Sequence, residues 1–317
     1  GSRCDGNVQG DEISAECLKK TLKEISEHYD ASKILLNVTG GEPLVRKDLF
    51  DILEYAVSLG FRWGMTSNGI LINERMLEKI EKAKMVSVSI SIDGLEKTHE
   101  AFRKVPNSYP KIIKGIQLML KSPVIQVVQV TTVANKKNIH ELEDLYQMLL
   151  DLGVQYWRVV NCDPIGRAND HQDILLDKED YKYLFHFIQE KSKEGKMKEV
   201  SYGCSHYLGL NLETEIRRSY FMCYTGLTVG SILSNGDIFV CPNVPRRKEL
   251  IQGNIKEDSF VDVWENRYQF FRNEKRTSNE ECLKCPHWRY CAGDSMHTWN
   301  FDENKPNICL RDLFEEV

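Results

Sequence analysis

Six of the ten cysteines lie beyond residue 217, and their spacing is that of metal ligands. Cys223 and Cys241 bracket a glycine-bearing hairpin, residues 228–242, TVGSILSNGDIFVCP. Cys282, Cys285 and Cys291 follow as C-x2-C-x5-C, and Cys309 closes the set. Two thiolates on a two-residue spacer, joined by two sulfurs from farther along, is how a loop surrounds a zinc ion or an iron–sulfur cluster. A secreted disulfide protein would scatter its pairs, so this clustering points to reduced thiols in a cytoplasm. Cys17 on a helix face, Cys162 at the end of a strand and Cys4 in an irregular leader read as small incidental thiols.

The framework ahead of these cysteines is read from the hydrophobic pattern. Helices are predicted over 14–29, 47–59, 73–83, 109–121 and 138–152, alternating with strands over 34–38, 62–66, 86–92, 125–133 and 156–161. The strands read as apolar on both faces, which is the signature of a parallel sheet covered by helices. Such sheets bind ligands beyond the carboxyl ends of their strands. Here the strand ends are Gly-Gly-Glu at 40–42, Ser-Asn-Gly at 67–69, Asp93-Gly94, Asn135, and Asn161 with Asp163. One rim therefore collects polar groups from five strands. An amphipathic helix over 177–195 bridges to the cysteine-rich part.

At 317 residues, 41% hydrophobic and 28% charged, the chain has the composition of a globular protein. A net charge of −5 gives no reason to expect nucleic acid. No apolar run approaches the roughly 20 residues that span a bilayer, and no signal peptide opens the chain, so no membrane partner is expected.

With these motifs in order, the chain resembles the radical S-adenosylmethionine (SAM) enzymes that carry a C-terminal SPASM domain. The resemblance implies an α/β fold, a partial (β/α)6 barrel followed by a small cysteine-rich α+β domain. The boundaries it suggests are 1–175 for the barrel, 176–215 for a helical bridge and 216–317 for the SPASM part. Gly40-Gly41-Glu42-Pro43 is similar to the family's GGEP corner, which implies contact with the amino group of SAM. Two glycines let backbone approach a ligand closely. Thr66-Ser67-Asn68-Gly69 resembles the next strand end, and Ser89–Gly94 with His99 and Arg103 resembles the SIDG…H-x3-R stretch. Ser91 and Arg103 become candidates for the SAM carboxylate, since an arginine fork pairs with carboxylate in bidentate fashion. Ser67, Asn68 and Asp93 are candidates for ribose or substrate, while His99 reads as structural.

In the SPASM part the resemblance assigns Cys282, Cys285, Cys291 and Cys309 to an auxiliary 4Fe–4S cluster. A second auxiliary Fe–S cluster would take Cys223 and Cys241, but Ser295 stands where the family has a further cysteine. Three readings are open there: a cluster with an unusual or open ligand, a 2Fe–2S cluster, or two thiols with no cluster. Cys204, His206 and His297 are nearby candidates to assist.

The family's C-x3-C-x2-C triad, which holds the SAM-cleaving 4Fe–4S cluster, is not in this sequence, nor is the first barrel strand. The sequence as written therefore reads as trimmed at its front and is expected not to cleave SAM. For the intact protein the resemblance implies an oxidoreductase in which a 5′-deoxyadenosyl radical abstracts hydrogen from a ribosomally made peptide or protein. A crosslink or oxidation would result, and flavodoxin or ferredoxin would supply electrons. Two alternatives stand. One is formylglycine formation of the sulfatase-maturase type, with Asp93 or Asp163 as base. The other is a non-catalytic zinc-binding scaffold that recognises peptides. No catalytic residue is assigned.

Overall fold

The structure is a computed structural model that describes residues 12–203, 205–217, 219–274 and 279–311. The chain divides into two compact units. One comprises Ile25–Asn161 and Glu179–Ser201; the other comprises Gly1–Glu24, Cys162–Lys178 and Tyr202–Val317.

The first unit is built on one sheet with strand order β1-β2-β3-β4-β5-β6. Its strands are β1 (Leu35–Val38), β2 (Arg62–Ser67), β3 (Ser87–Ser91), β4 (Val127–Ala134), β5 (Tyr156–Asn161) and β6 (Glu199–Tyr202). Strands β1 to β5 pair in parallel. The expected alternation of strand and helix is present, and the structure adds two elements to it. One is β6, whose Glu199 amide donates to Gln155 O just ahead of β5. The other is a helix, α4 (Glu96–Arg103), which carries His99 and Arg103.

The expectation that the strands are apolar on both faces is corrected. Along β3, β4 and β5, buried residues alternate with half-buried ones. Val88, Ile90, Val130, Trp157 and Val159 form the buried face. Trp157 stacks on Tyr146 of α6 (Leu142–Asp151) at 6.0 Å and meets Phe187 of α7 (Lys178–Glu194) edge-on at 5.8 Å. Each such side chain contributes about 1.5–3 kcal/mol on burial. The opposite face carries Ser87, Ser89, Ser91, Gln129, Thr131 and Arg158, all half-buried or exposed. Ser and Thr are tolerated in strands, so a local hydropathy reading does not separate the two faces.

In the second unit the hairpin forms from β7 (Ser231–Ile232) and β8 (Asp237–Phe239), extended by β9 (Gly253–Asn254). Asn235-Gly236 makes the turn, with Gly236 at φ +94°, as a tight hairpin requires. Phe239, Val240, Val263, Tyr268 and Phe271 fill its core, and Ile13, just ahead of α1 (Ala15–His28), joins them. The Ile13 amide donates to Ser234 O at 2.7 Å, which anchors the segment.

Candidate functional site

Two places gather the predicted residues, one in each unit. In the sheet unit, Gly40 and Gly41 follow β1, and both are exposed. Gly40 has φ +144°, which side-chain-bearing residues rarely adopt, and a Cβ at either glycine would meet nothing within 4 Å. The corner thus leaves open space beside bare backbone. Pro43 is buried and starts a short 3-10 turn, Pro43–Val45.

Glu42 faces the neighbouring strand end. Its carboxylate accepts from Ser67 Oγ at 2.9 and 3.0 Å, from the Asn68 amide at 2.8 Å and from the Leu44 amide at 3.3 Å. Ser67 is buried, and its hydroxyl also accepts from the Gly69 amide at 3.0 Å. Asn68 accepts from the Ile70 amide at 2.9 Å, closing an Asx turn. Glu42 and Ser67 therefore brace the rim against each other.

Asp93 is fully buried. Its Oδ1 accepts from the Val133 amide at 2.9 Å, and its Oδ2 is engaged by Arg103 Nε. The Asp93 amide donates to His99 Nδ1 at 3.0 Å. Burial holds the His99 imidazole below its ordinary range, so it accepts as the neutral ring. Arg103 ends α4 with its side chain 36% exposed. Pinned through Nε, it makes no bond from its two terminal nitrogens among the described residues. Ser91, half-buried, closes β3.

Two residues not singled out in the sequence complete this rim. Asn138 donates from Nδ2 to Asp93 O at 3.0 Å, and Glu141 accepts from the Leu95 amide at 2.8 Å and from the Thr98 hydroxyl. A Cβ on Gly94 would come within 2.8 Å of Glu141 Oε2, so Asp93-Gly94 is more than a turn former. An asparagine and a glutamate some 45 residues downstream carry no local signal of this role.

In the second unit, Cys282, Cys285, Cys291 and Cys309 line one cavity together with Tyr207 and Asp294. Asn279 caps α10 (Glu280–Lys284), accepting from the Cys282 amide at 2.7 Å, and Cys285 follows at the other end. Arg311 donates to Cys285 Sγ at 2.8 Å. Cys291 ends α11 (Trp288–Cys291), after which Ala292, Gly293 and Asp294 all have positive φ, 49°, 82° and 63°. That hook turns the Asp294 amide back onto Cys291 Sγ at 3.1 Å. Burial, with the Asp294 carboxylate nearby, pushes the Cys291 thiol up; a bound cation reverses that balance. Backbone and guanidinium donors aimed at sulfur suit ligands of an iron–sulfur centre. Among the described residues, no three His, Cys, Asp or Glu side chains converge tightly enough for a single metal ion.

Cys223 and Cys241 both pack on the hairpin core. The Met296 amide donates to Cys223 Sγ at 3.4 Å, while Ser295, fully buried, spends its hydroxyl on Thr298 Oγ1 at 2.8 Å. His206 does not join these thiols. It is buried between two carboxylates, with Nε2 at 2.6 Å from Asp163 and Nδ1 at 2.9 Å from Asp294. Burial alone would lower its pKa, but the two acids outweigh it and hold it up to about 10. His297 Nε2 lies 3.9 Å from Asp163. Cys4 and Cys204 lie outside the described residues. Neither acid considered as a base is at liberty: Asp93 holds Arg103, and Asp163 holds a protonated imidazole.

A family model of the radical SAM superfamily matches residues 5–149, and one of the SPASM iron–sulfur cluster-binding domain matches 223–286. The chain carries a radical SAM domain followed by a SPASM domain. The radical SAM/SPASM chain is 26% identical over 302 residues to an AdoMet-dependent heme synthase of Methanosarcina barkeri, covering 90% of this chain and 83% of the relative. It is 25% identical over 306 residues to the antilisterial bacteriocin subtilosin biosynthesis protein AlbA of Bacillus subtilis, covering 94% of this chain and 64% of AlbA. Its fold is similar to that of native anSMEcpe with bound AdoMet and the Cp18Cys peptide, with TM-score 0.68 and 20% identity over 91% of this chain and 83% of that one. Among the described residues, no helix is long and apolar enough to cross a membrane.

Proposed function

We propose that this chain is the scaffold of a radical SAM/SPASM enzyme that removes hydrogen from a ribosomally made peptide or protein, leaving a crosslink or an oxidised residue. SAM, when bound, supplies one-electron hydrogen abstraction, and the protein's own residues place and shield the reacting groups. Gly40 and Gly41 offer backbone to the methionine end of SAM. Glu42 keeps Ser67 and Asn68 in place beside it. Asp93 presents Arg103 so that its two terminal nitrogens can take the SAM carboxylate with Ser91. In the second unit Cys282, Cys285, Cys291 and Cys309 hold an auxiliary 4Fe–4S cluster, with Arg311 supporting Cys285. Cys223 and Cys241 take part in a second cluster only with a ligand other than Ser295, whose hydroxyl Thr298 occupies. Electrons come from a small carrier such as flavodoxin or ferredoxin.

The observation that carries this reading is that Cys282, Cys285 and Cys291 line one cavity with Cys309, 18 residues farther along. The engagement of Asp93 and Asp163 disfavours formylglycine formation through either as base. Similarity to AlbA supports a peptide substrate. A second reading, action on a tetrapyrrole, rests on the similarity to heme synthases.

The test is anaerobic reconstitution of the full chain with iron and sulfide. A brown protein with iron and sulfide in equal amounts, and a loss of iron in Cys285→Ala, is expected. A colourless, zinc-loaded protein, or unchanged iron in Cys285→Ala, would overturn the cluster assignment. Binding of a tetrapyrrole in preference to peptides would move the substrate to the second reading.

A further inference from the structure

The polar face of the sheet carries a cation, Arg158, that has no ion-pair partner among the described residues. Arg158 is the third residue of β5, between Trp157 and Val159, both buried on the helix-covered face. It therefore lies on the opposite, polar face. Strand register sets it level with Thr131 of β4, and Thr131 level with Ser91 of β3. Arg158 Nη2 donates to Thr131 Oγ1 at 3.1 Å, and that hydroxyl is 2.7 Å from Ser89 Oγ. Arg158 Nε is buried and has no hydrogen-bond partner among the described residues.

Among the described residues, Arg46 pairs with Asp48, Arg103 with Asp93 and Arg217 with Glu213, while Arg272 spends its guanidinium on three backbone carbonyls. A guanidinium on a half-buried surface, with one N–H unsatisfied and no counter-charge, costs free energy that a ligand anion would recover. The unfilled Nε edge is the part of the fork that receives a carboxylate in bidentate geometry. The position also separates it from the SAM carboxylate. Ser91 is two strands away, or about 10 Å at the usual strand spacing.

We propose that Arg158, steadied by Thr131 and Ser89, is the recognition residue for a carboxylate of the substrate. This rests on the peptide reading above for the identity of that substrate. The carboxylate belongs either to an acidic side chain or to the peptide's C-terminus. Arg158 binds and orients the group and takes no part in bond breaking.

The experiment uses the full chain labelled with 15N-arginine, following the Nε–H resonance that disappears in Arg158→Lys. Four probes are titrated: N-acetyl-glutamate amide, N-acetyl-alanine with a free carboxylate, N-acetyl-glutamine amide, and SAM. A saturable shift is expected with at least one carboxylate and none with the glutamine probe; the tighter carboxylate identifies the source. In Arg158→Gln the same carboxylate should cease to shift the Thr131 methyl resonance. The proposal is overturned if neither carboxylate shifts the Arg158 signal, or if the glutamine probe shifts it equally. It is also overturned if SAM alone saturates the shift, which would make Arg158 part of the SAM site. Failure of SAM to bind anywhere would count against the function proposed above, while the carboxylate titration still decides the role of Arg158.

Discussion

In the sheet unit, Glu42 is held by Ser67 and Asn68 on the next strand end, and Asp93 by Val133 on the next. In the cysteine-rich unit, His206 is held by Asp163 and Asp294, which are 43 and 88 residues away in sequence. Parallel strands bring their carboxyl ends to one rim as a property of the topology, so short polar side chains suffice to finish that site. Among the described residues, the strands around the cysteines of the second unit are two or three residues long. Its loops are fixed by buried charge. A frame made of backbone tolerates the loss of one side chain better than a frame made of a charge cluster.

His206→Ala probes the charge-held unit most severely. It leaves Asp163 and Asp294 buried without their cation, for an expected loss of about 3–5 kcal/mol in denaturant unfolding. The imidazole's folded pKa of about 10 lies above its ordinary 6.5. Its contribution is therefore complete below about pH 6.5 and fades as pH rises through about 10. Stability of the wild type, but not of His206→Ala, should fall over that window. If the two fall in parallel, the charge cluster does not hold the loops.

Arg103→Ala should weaken SAM binding by roughly ten- to a hundredfold in equilibrium dialysis, the scale of a charge-assisted hydrogen bond pair. Arg103→Lys should recover only part, because an ammonium cannot reproduce the fork. Unchanged affinity would remove Arg103 from the SAM site.

Glu42→Gln keeps the shape but converts one accepting oxygen to a donor facing Ser67 and Asn68. A loss of about 1–2 kcal/mol is expected on thermal unfolding, and less than for His206→Ala. A larger loss would mean that the strand-end frame is the more fragile of the two.

The smallest effect is Gly40→Ala. Nothing obstructs the added methyl, so only backbone strain is felt, about 1 kcal/mol. SAM affinity should drop more than stability if the bare backbone there is what the ligand meets.

How much of this was legible in the sequence divides along the same line. The alternation of strand and helix, and the polar strand ends, follow from local hydropathy and turn residues, and they place Gly40, Ser67 and Asp93 correctly at one rim. The helix carrying Arg103 was not legible because Glu96–Arg103 is short and almost wholly polar. The polar face of the sheet is assembled from short stretches of three strands, Ser87 to Ser91, Gln129 with Thr131, and Arg158, and only the register between strands brings them together. The spacing of Cys282, Cys285 and Cys291 announced a shared site, since close ligands come from one loop. The place of His206 between two acids is set by contacts far apart in sequence, and no local pattern encodes that.

The left-handed hook after Cys291 ties two events that are usually discussed apart. Within four residues the chain supplies Cys291, proposed above as a cluster ligand, and the Asp294 carboxylate for the buried imidazolium, with Ala292 and Asp294 both held at positive φ. If the cysteines hold the proposed cluster, loading it and settling the interior of this unit are one linked equilibrium, and a chelator would act as a mild denaturant of the His206 environment.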